Sequence, residues 1–571
     1  MPRAKVTIAS GASWQDVAAD RQRHRDATIA SLNPPLPGLP DETPGGTTSI
    51  PEWILTAEEI HITSQNVEDL IPKLASGHWS AEKVIRAFMR RAGLAQGLTN
   101  CVTELLLRAV KRAAELDKYL ANTGKTVGPL HGIPISIKEH IGLKGCDLNA
   151  GFVGWVGRVA EADSLILQIL WDAGAVFYVR TTQPQTLMHL ETSSNLYGTT
   201  LNPHNTTLTA GGSSGGEGAL IGSRGSILGI GTDIGGSIRS PAANNGIFGF
   251  KPTAPRLPVS GWSATMVGSE SILGTIGPLS TSLEGISLFV KTVLDARPWL
   301  REPSLVAIPW REEETKRGRK LRIGVIWDDG VVRPHPPITA ALSRVVEKLK
   351  ESGEVEVVDW ECWKHDLAWE IIAKLYFCDG GAEEKAAIAS SGEPWMPLSK
   401  WILLDNPHVR EHTIPTLWQA HQERDSYRTS YAALWNARDV DVILCPAGPG
   451  VAPKLETSRY WGYTSQWNLL NYPAISFPTG FKVGGEYKAF EYPATYEPLS
   501  ESDRYNYALW REHGAEGYKN APVSLQLVGR IYEDEKLLRD LNTLLDAAGL
   551  AKTYTDPYDM PPSHGPVLDI K

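Results

Sequence analysis

The chain is poor in sulfur, with five cysteines and six methionines in 571 residues. Cys101, Cys146, Cys362, Cys378 and Cys445 are widely scattered, without CxxC or Cys/His spacing, which argues against a metal ribbon or disulfide framework and predicts buried, reduced thiols. Also lacking is any apolar run of roughly 18 residues, so no transmembrane helix is expected. Basic blocks are missing too: 56 Lys and Arg stand against 65 Asp and Glu, a net charge of −9, and nucleic acid is not an expected partner. The opening "MPRAKVTIASGASWQDVAADRQRHRD" has no apolar core of signal-peptide length, and the closing "LDIK" is neither an ER nor a peroxisome address, so a cytoplasmic protein is expected. There is no GxxxxGK[ST], and no GxGxxG between a clear strand and helix, which weakens every nucleotide-binding reading. No repeat at a period of roughly 20–50 residues points to a solenoid or propeller.

What is present is a globular composition, 42% hydrophobic and 21% charged, with 53 Gly and 39 Pro for many tight turns. Such a length supports one large domain or a few packed subdomains. Residues 28–53 are rich in Pro, Gly and Thr without a period, so residues 1–60 are expected to form an extended N-terminal arm. An N-terminal helical layer is expected over 61–125: Val67, Leu70, Ile71 and Leu74 share a helical face, as do Val84, Ile85, Phe88, Met89 and Ala92 behind the cap Ser80, and a third helix runs through Leu106, Val110, Ala113 and Leu120. From "LHGIPISIKEHI" onward, short apolar strands alternate with helices, and late segments such as "DVDVILCPAGPG", "NYPAISFPTGF" and "APVSLQLVGR" suit a buried sheet. Residues 126–571 are thus expected to form an α/β core continuous with 61–125, with a subdomain packed near 320–440.

Residues 210–240, "AGGSSGGEGALIGSRGSILGIGTDIGGSIRS", hold eleven glycines and six serines. Gly211-Gly212-Ser213-Ser214-Gly215 fits the GxSxG pattern of a nucleophile elbow, but the preceding "HNTTLTA" is polar where an elbow needs a buried strand. Glycines that merely allow close packing, with serines that cap or turn, would explain one such cluster. Here there are two, their serines 24 positions apart at Ser213 and Ser237.

"GGSSGGEGAL", then "GTDIGGSIRSPAANNGIFGFKPT", resembles the signature segment of the amidase signature family, and "GPLHGIPISIKEHI" resembles that family's lysine-bearing strand at the family's spacing. "LTNCVTE", "GAVFYVRTTQPQTLM", "SGEP" and "NLLNYPAISFP" are most similar to fungal acetamidase-type members. The resemblance implies a single large amidase-signature domain of α/β class, whose central mixed β-sheet is covered on both faces by helices. It also implies a Ser–Ser–Lys triad in which Ser237 is the nucleophile, Ser213 the bridging serine behind a cis peptide bond, and Lys138 the terminal base. Ile234, Gly235 and Gly236 would form the oxyanion site, with the Leu187 backbone near the substrate. Asp233 and Arg239 would be a supporting ion pair. A homodimer is suggested at the same level.

The chemistry is coherent. A serine hydroxyl is a weak nucleophile until a base takes its proton, and a lysine can be that base only when neutral, which burial favours. Lys138 follows the apolar "IPISI", while strand alternation sends Glu139 to the opposite face. Glycine N–H groups ahead of Ser237 can approach an oxyanion closely. His131 and His140 are read as structural, since the triad needs no histidine. The expected reaction is hydrolysis of a small or aryl primary amide to carboxylate and ammonia or amine through an acyl-enzyme, with no metal or organic cofactor. Alternatives are an amidotransferase-type subunit acting with a partner, an enzyme like fatty-acid amide hydrolase, and a catalytically dead binding scaffold.

Overall fold

Ser13 receives the Asp16 N–H at 3.2 Å while Asp16 receives the Ser13 N–H at 3.1 Å, a reciprocal cap that starts helix α1, Trp14–Ala30. This corrects the expected extended arm over 1–60, which also contains the short helices Pro51–Ile54 and Ala57–Thr63. The charged run "DVAADRQRHRD" shows almost no apolar stripe, and α1 is held instead by tertiary packing of Val17 and Ala18 on Val153, Val156 and Leu196. The computed structural model describes residues 12–39, 45–312, 318–484, 491–493 and 495–554.

Helices α2 (Val67–Ala75), α3 (Ala81–Thr99) and α4 (Arg108–Thr123) form the N-terminal layer, and Ser80 receives the Lys83 N–H at 3.1 Å to cap α3. Their apolar faces join the main hydrophobic core beside the sheet.

Among the described residues that sheet has eleven strands: β1 (Val102–Leu105), β2 (Pro134–Lys138), β3 (Val176–Thr181), β4 (Leu228–Asp233), β5 (Phe248–Lys251), β6 (Thr275–Ser280), β7 (Leu321–Val325), β8 (Val355–Asp359), β9 (Val442–Pro446), β10 (Ala474–Lys482) and β11 (Pro522–Val528). Their spatial order is β1-β3-β2-β4-β6-β5-β10-β11-β9-β7-β8. The sheet is mixed: β2 runs parallel to β3 and β4, β4 antiparallel to β6, and β7 parallel to β8 and β9. Helices flank it, as expected of a single α/β domain. Strand, helix and strand between 320 and 361 extend the common sheet at one edge.

Two strands position the chemistry. β2 reads "PISIK" and is buried throughout, because neighbours pair with it on both sides. Ser136 lies opposite Gly229 and Ile137 opposite Ile230, so the carboxyl ends of β2 and β4, carrying Lys138 and Thr232, finish side by side. Ahead of β4 the chain forms helix α5 (Gly215–Gly222), wholly buried against the sheet, and after β4 it turns into helix α6 (Arg239–Asn245). Both glycine–serine turns are therefore delivered to the same end of the sheet. Cys101, Cys146 and Cys445 are buried thiols, whereas Cys362 and Cys378 are only partly covered. Among the described residues, no helix is long and apolar enough to cross a membrane.

Candidate active site

Lys138 is completely buried, and its Nζ lies 2.6 Å from Ser213 Oγ and 2.9 Å from Thr232 Oγ1. Burial draws its ammonium down from the ordinary lysine value to about 7, against the opposing pull of the Asp233 and Glu217 carboxylates. Glu217, on α5, is itself pushed up to about 7 by burial while the Ser136 and Thr181 hydroxyls donate to it. Lys138 thus sits where its neutral amine is accessible near neutral pH. Glu139 leaves for the other face, where it accepts from the Asn149 N–H at 2.8 Å and the Ala150 N–H at 3.1 Å and lies 3.5 Å from Arg180.

The Gly212–Ser213 peptide bond is cis. Gly211 has φ +82°, and a Cβ there would stand 2.9 Å from the Pro241 backbone, so this turn has room for no side chain. Ser214 ties the two glycine–serine turns together: its N–H donates to the Ser237 carbonyl at 3.1 Å, and its Oγ receives the Thr232 N–H at 3.3 Å.

Asp233 organises the second turn. Its carboxylate accepts from the Gly236 N–H at 2.9 Å, the Ile238 N–H at 3.1 Å and Asn468 Nδ2 at 2.9 Å, and it meets Arg239 through Nε at 3.1 Å and Nη2 at 3.0 Å. Burial alone would raise this carboxyl, but the Arg239 guanidinium outweighs it and holds Asp233 well below the usual range. Arg239 is fully buried and also reaches Asn468 Oδ1 at 2.7 Å. A buried, bidentate pair of this kind braces the loop.

The oxyanion expectation therefore needs one amendment: the Gly236 N–H is already committed to Asp233. The neighbouring peptides are oriented otherwise. The Ile234 carbonyl accepts from Tyr376 Oη at 3.0 Å and the Gly236 carbonyl from the Ser240 N–H at 2.8 Å, so the trans peptides aim the Gly235 and Ser237 N–H groups away from those contacts. The Gly235 carbonyl accepts from Thr464 Oγ1 at 2.7 Å, consistent with Gly236 N–H pointing back to Asp233. A Cβ on Gly236, at φ +127°, would stand 2.3 Å from that same Thr464 hydroxyl.

Ser213, Ser237, Thr232, Ile234 and Leu187 all line one cavity of about 500 Å³. Thr186 and Leu187 take consecutive left-handed conformations, φ +69° and +62°, which turn the "PQTLM" backbone along its wall. The remaining wall is largely apolar, with Met188, Trp262, Met266, Ile272, Leu375 and Tyr376. Among the described lining residues there is no lysine or arginine, and the carboxylates among them are Asp233, Glu270 and Glu302.

Thr232 lies inside the glycine–serine segment but bears no sign there of its contact with Lys138, whereas Tyr376, Thr464 and Asn468 come from distant segments and carry no local motif. Sequence reasoning placed His140 among structural residues, yet His140 lines the cavity and its Nε2 lies 3.0 Å from Thr232 Oγ1. His131 does serve the turn, accepting the Val127 N–H at 3.1 Å through Nδ1.

The family model described as Amidase matches residues 83–538. The Schizosaccharomyces pombe protein C550.07, which itself carries an amidase name, is 43% identical over 536 residues, covering 93% of this chain and 99% of that protein. An acetamidase of Emericella nidulans is 37% identical over 539 residues, 92% of this chain and 96% of the relative. A solved structure of a fatty acid amide hydrolase superposes with a TM-score of 0.89 at 35% identity, covering 94% of this chain and 95% of that one.

Proposed function

The chain belongs to the amidase family and is an amidohydrolase acting on C–N bonds, and from that premise we propose that Ser237 attacks the amide carbonyl to form an acyl-enzyme. The observation that carries this reading is the 2.6 Å approach of buried Lys138 Nζ to Ser213 Oγ, in the cavity that Ser237 also faces. The Ser237 proton passes to Ser213 as the Ser213 proton passes to the neutral Lys138 amine. The tetrahedral oxyanion is received by the Gly235 and Ser237 N–H groups, and one such donor contributes about 2.7–4 kcal/mol of transition-state stabilisation. The proton then returns along the same chain to the leaving nitrogen, which departs as ammonia or amine. Water, activated by the same base, releases the carboxylate and restores Ser237.

The cavity supports one substrate class over others. Its volume of about 500 Å³ and apolar wall suit an uncharged amide whose acyl part is aryl or an alkyl chain longer than acetyl. A primary amide of an aryl or short apolar acid is the favoured substrate. Longer acyl chains form the second reading, favoured by the same apolar wall and by the superposition on a fatty acid amide hydrolase. A glutamine-using amidotransferase subunit is disfavoured, because among the described lining residues no cation meets an amino-acid carboxylate. The acetamidase relatives make acetamide the natural lower bound of a test series.

The test is a panel of acetamide, benzamide, indole-acetamide, anilides and linear amides of increasing length, scored for released ammonia or amine. The expected result is a kcat/KM that rises from acetamide to the aryl amides. A preference for acetamide over every larger amide would overturn the substrate assignment. A fluorophosphonate should label Ser237, and labelling elsewhere or not at all in folded protein would overturn the nucleophile.

A further inference from the structure

Thr232 stands between Lys138 and His140. Its Oγ1 is 2.9 Å from Lys138 Nζ and 3.0 Å from His140 Nε2, and His140 Nδ1 is 2.9 Å from the Ser263 carbonyl oxygen. The Trp262 ring stacks on the imidazole at 5.9 Å between centroids and 24° between planes, holding it in this orientation. His140 is buried, as are Lys138 and Thr232.

The direction of each hydrogen bond can be worked out from what each atom is able to do. A carbonyl oxygen only accepts, so His140 Nδ1 carries a proton and donates it to Ser263. Burial holds the imidazole well below its ordinary pKa, so it is neutral and Nε2 is an acceptor. The Thr232 hydroxyl donates its single proton to Nε2. Thr232 Oγ1 can then meet Lys138 only as an acceptor of one of its N–H groups. A neutral amine has one lone pair, and with Thr232 unable to donate into it, that lone pair is left for the Ser213 proton 2.6 Å away.

We propose that His140 is a positioning residue which, acting through Thr232, fixes the polarity of the hydrogen-bond chain so that Lys138 meets Ser213 as a proton acceptor. Without His140 the Thr232 hydroxyl is free to rotate and donate into the lysine lone pair, competing with Ser213 for the site that must take the proton. The proposal rests on the reading of Lys138, Ser213 and Ser237 given above and assigns the direction of proton movement within it. His140 exchanges no proton with substrate; its part is to remove the competing arrangement.

The test is a mutant cycle in the full chain, read as kcat on a small primary amide with KM followed separately. His140→Asn keeps a donor for Ser263 and removes the acceptor for Thr232; His140→Phe removes both and guards against an idiosyncratic asparagine contact or a failure to fold. Either should lower kcat by roughly 10- to 100-fold, part of the range general-base positioning supplies, with KM moving less than about 3-fold, as a change confined to proton transfer requires. Adding Thr232→Val to either variant removes the competitor and should raise kcat above that of the single variant. His140→Gln, whose side-chain oxygen can accept from Thr232, should recover kcat to within about fivefold. A double variant slower than its parent by the full loss of Thr232→Val alone would overturn the proposal, as would unchanged kcat in His140→Asn. The two readings separate cleanly: turnover surviving Lys138→Ala sinks the triad, whereas full-rate His140→Asn in an enzyme that Lys138→Ala silences sinks only the role of His140.

Discussion

The triplets Gly211-Gly212-Ser213 and Gly235-Gly236-Ser237 have the same letters, and the fold uses them differently. In the first, Gly211 takes a positive φ against the Pro241 backbone, and Ser213 is turned towards a buried lysine. In the second, the backbone amides matter more than the missing side chains: the Gly236 N–H is held by Asp233, while Tyr376 and the start of α6 orient the amides on either side. In the mechanism proposed above, one triplet would relay a proton and the other would present the attacking oxygen with its oxyanion donors. Identical short motifs take their roles from the element that follows and from the charge placed beneath them.

Replacement of the two serines sharpens this contrast most. Ser237→Ala should lower kcat by about 10⁴-fold or more, the scale seen when a nucleophile is removed. Ser213→Ala should lower it by roughly 10²–10⁴-fold, since only proton relay is lost. Rates of ammonia release, with thermal unfolding to confirm folding, check both; a larger effect at Ser213 would reverse the assigned roles.

Asp233→Ala attacks the brace of the second turn. It leaves the Arg239 cation buried and unpartnered by a carboxylate, and should destabilise the protein by roughly 3–5 kcal/mol, measured by denaturant unfolding. A variant as stable as the parent would show that the pair does not hold the loop.

The base can be tested by pH. Lys138 must be neutral to accept a proton, so kcat/KM should fall about tenfold per unit as pH drops below about 7, and level off above it. The sign for stability runs the same way. Between about 7 and the ordinary lysine value of 10.5 the unfolded chain binds a proton that the folded lysine does not, so this group's contribution to stability rises with pH across that window. An activity profile flat from pH 5 to 8, roughly two units to the acid side of that value, would remove Lys138 as the base.

The smallest effect expected is at the first triplet's glycine. Gly211→Ala forces a Cβ to within 2.9 Å of Pro241 at φ +82° and should cost more than about 1 kcal/mol, seen as a lowered unfolding midpoint. Unchanged stability would mean that the turn relaxes freely.

Much of this was legible locally. Burial of "IPISIK", the helical faces of α2 and α3, the cap at Ser80 and the positions of both serine turns follow from apolar spacing and from residue types with few alternatives. Helix α1 was not legible, because its residues are charged on nearly every face and its stability comes from Val153, Val156 and Leu196 far along the chain. Nor was the use of the Gly236 amide, since adjacent glycines in a sequence offer equivalent N–H groups until a carboxylate is folded beneath one of them. His140 looked ordinary beside Lys138 because its significance depends on Thr232, nearly a hundred positions later.

The sequence by itself determined which residue types could do acyl transfer: a lysine on an apolar strand, and two serines on glycine turns at a spacing that one buried helix and one strand can bridge. These are matters of covalent neighbours and local period, which a chain carries wherever it folds. Only the tertiary structure decided that Lys138 is wholly buried, that the Gly236 N–H is taken by Asp233, and how wide and apolar the cavity is. Those depend on desolvation and on contacts among β2, β4, the 262–274 segment and Tyr376, and no stretch of sequence contains them until the sheet brings its strand ends together.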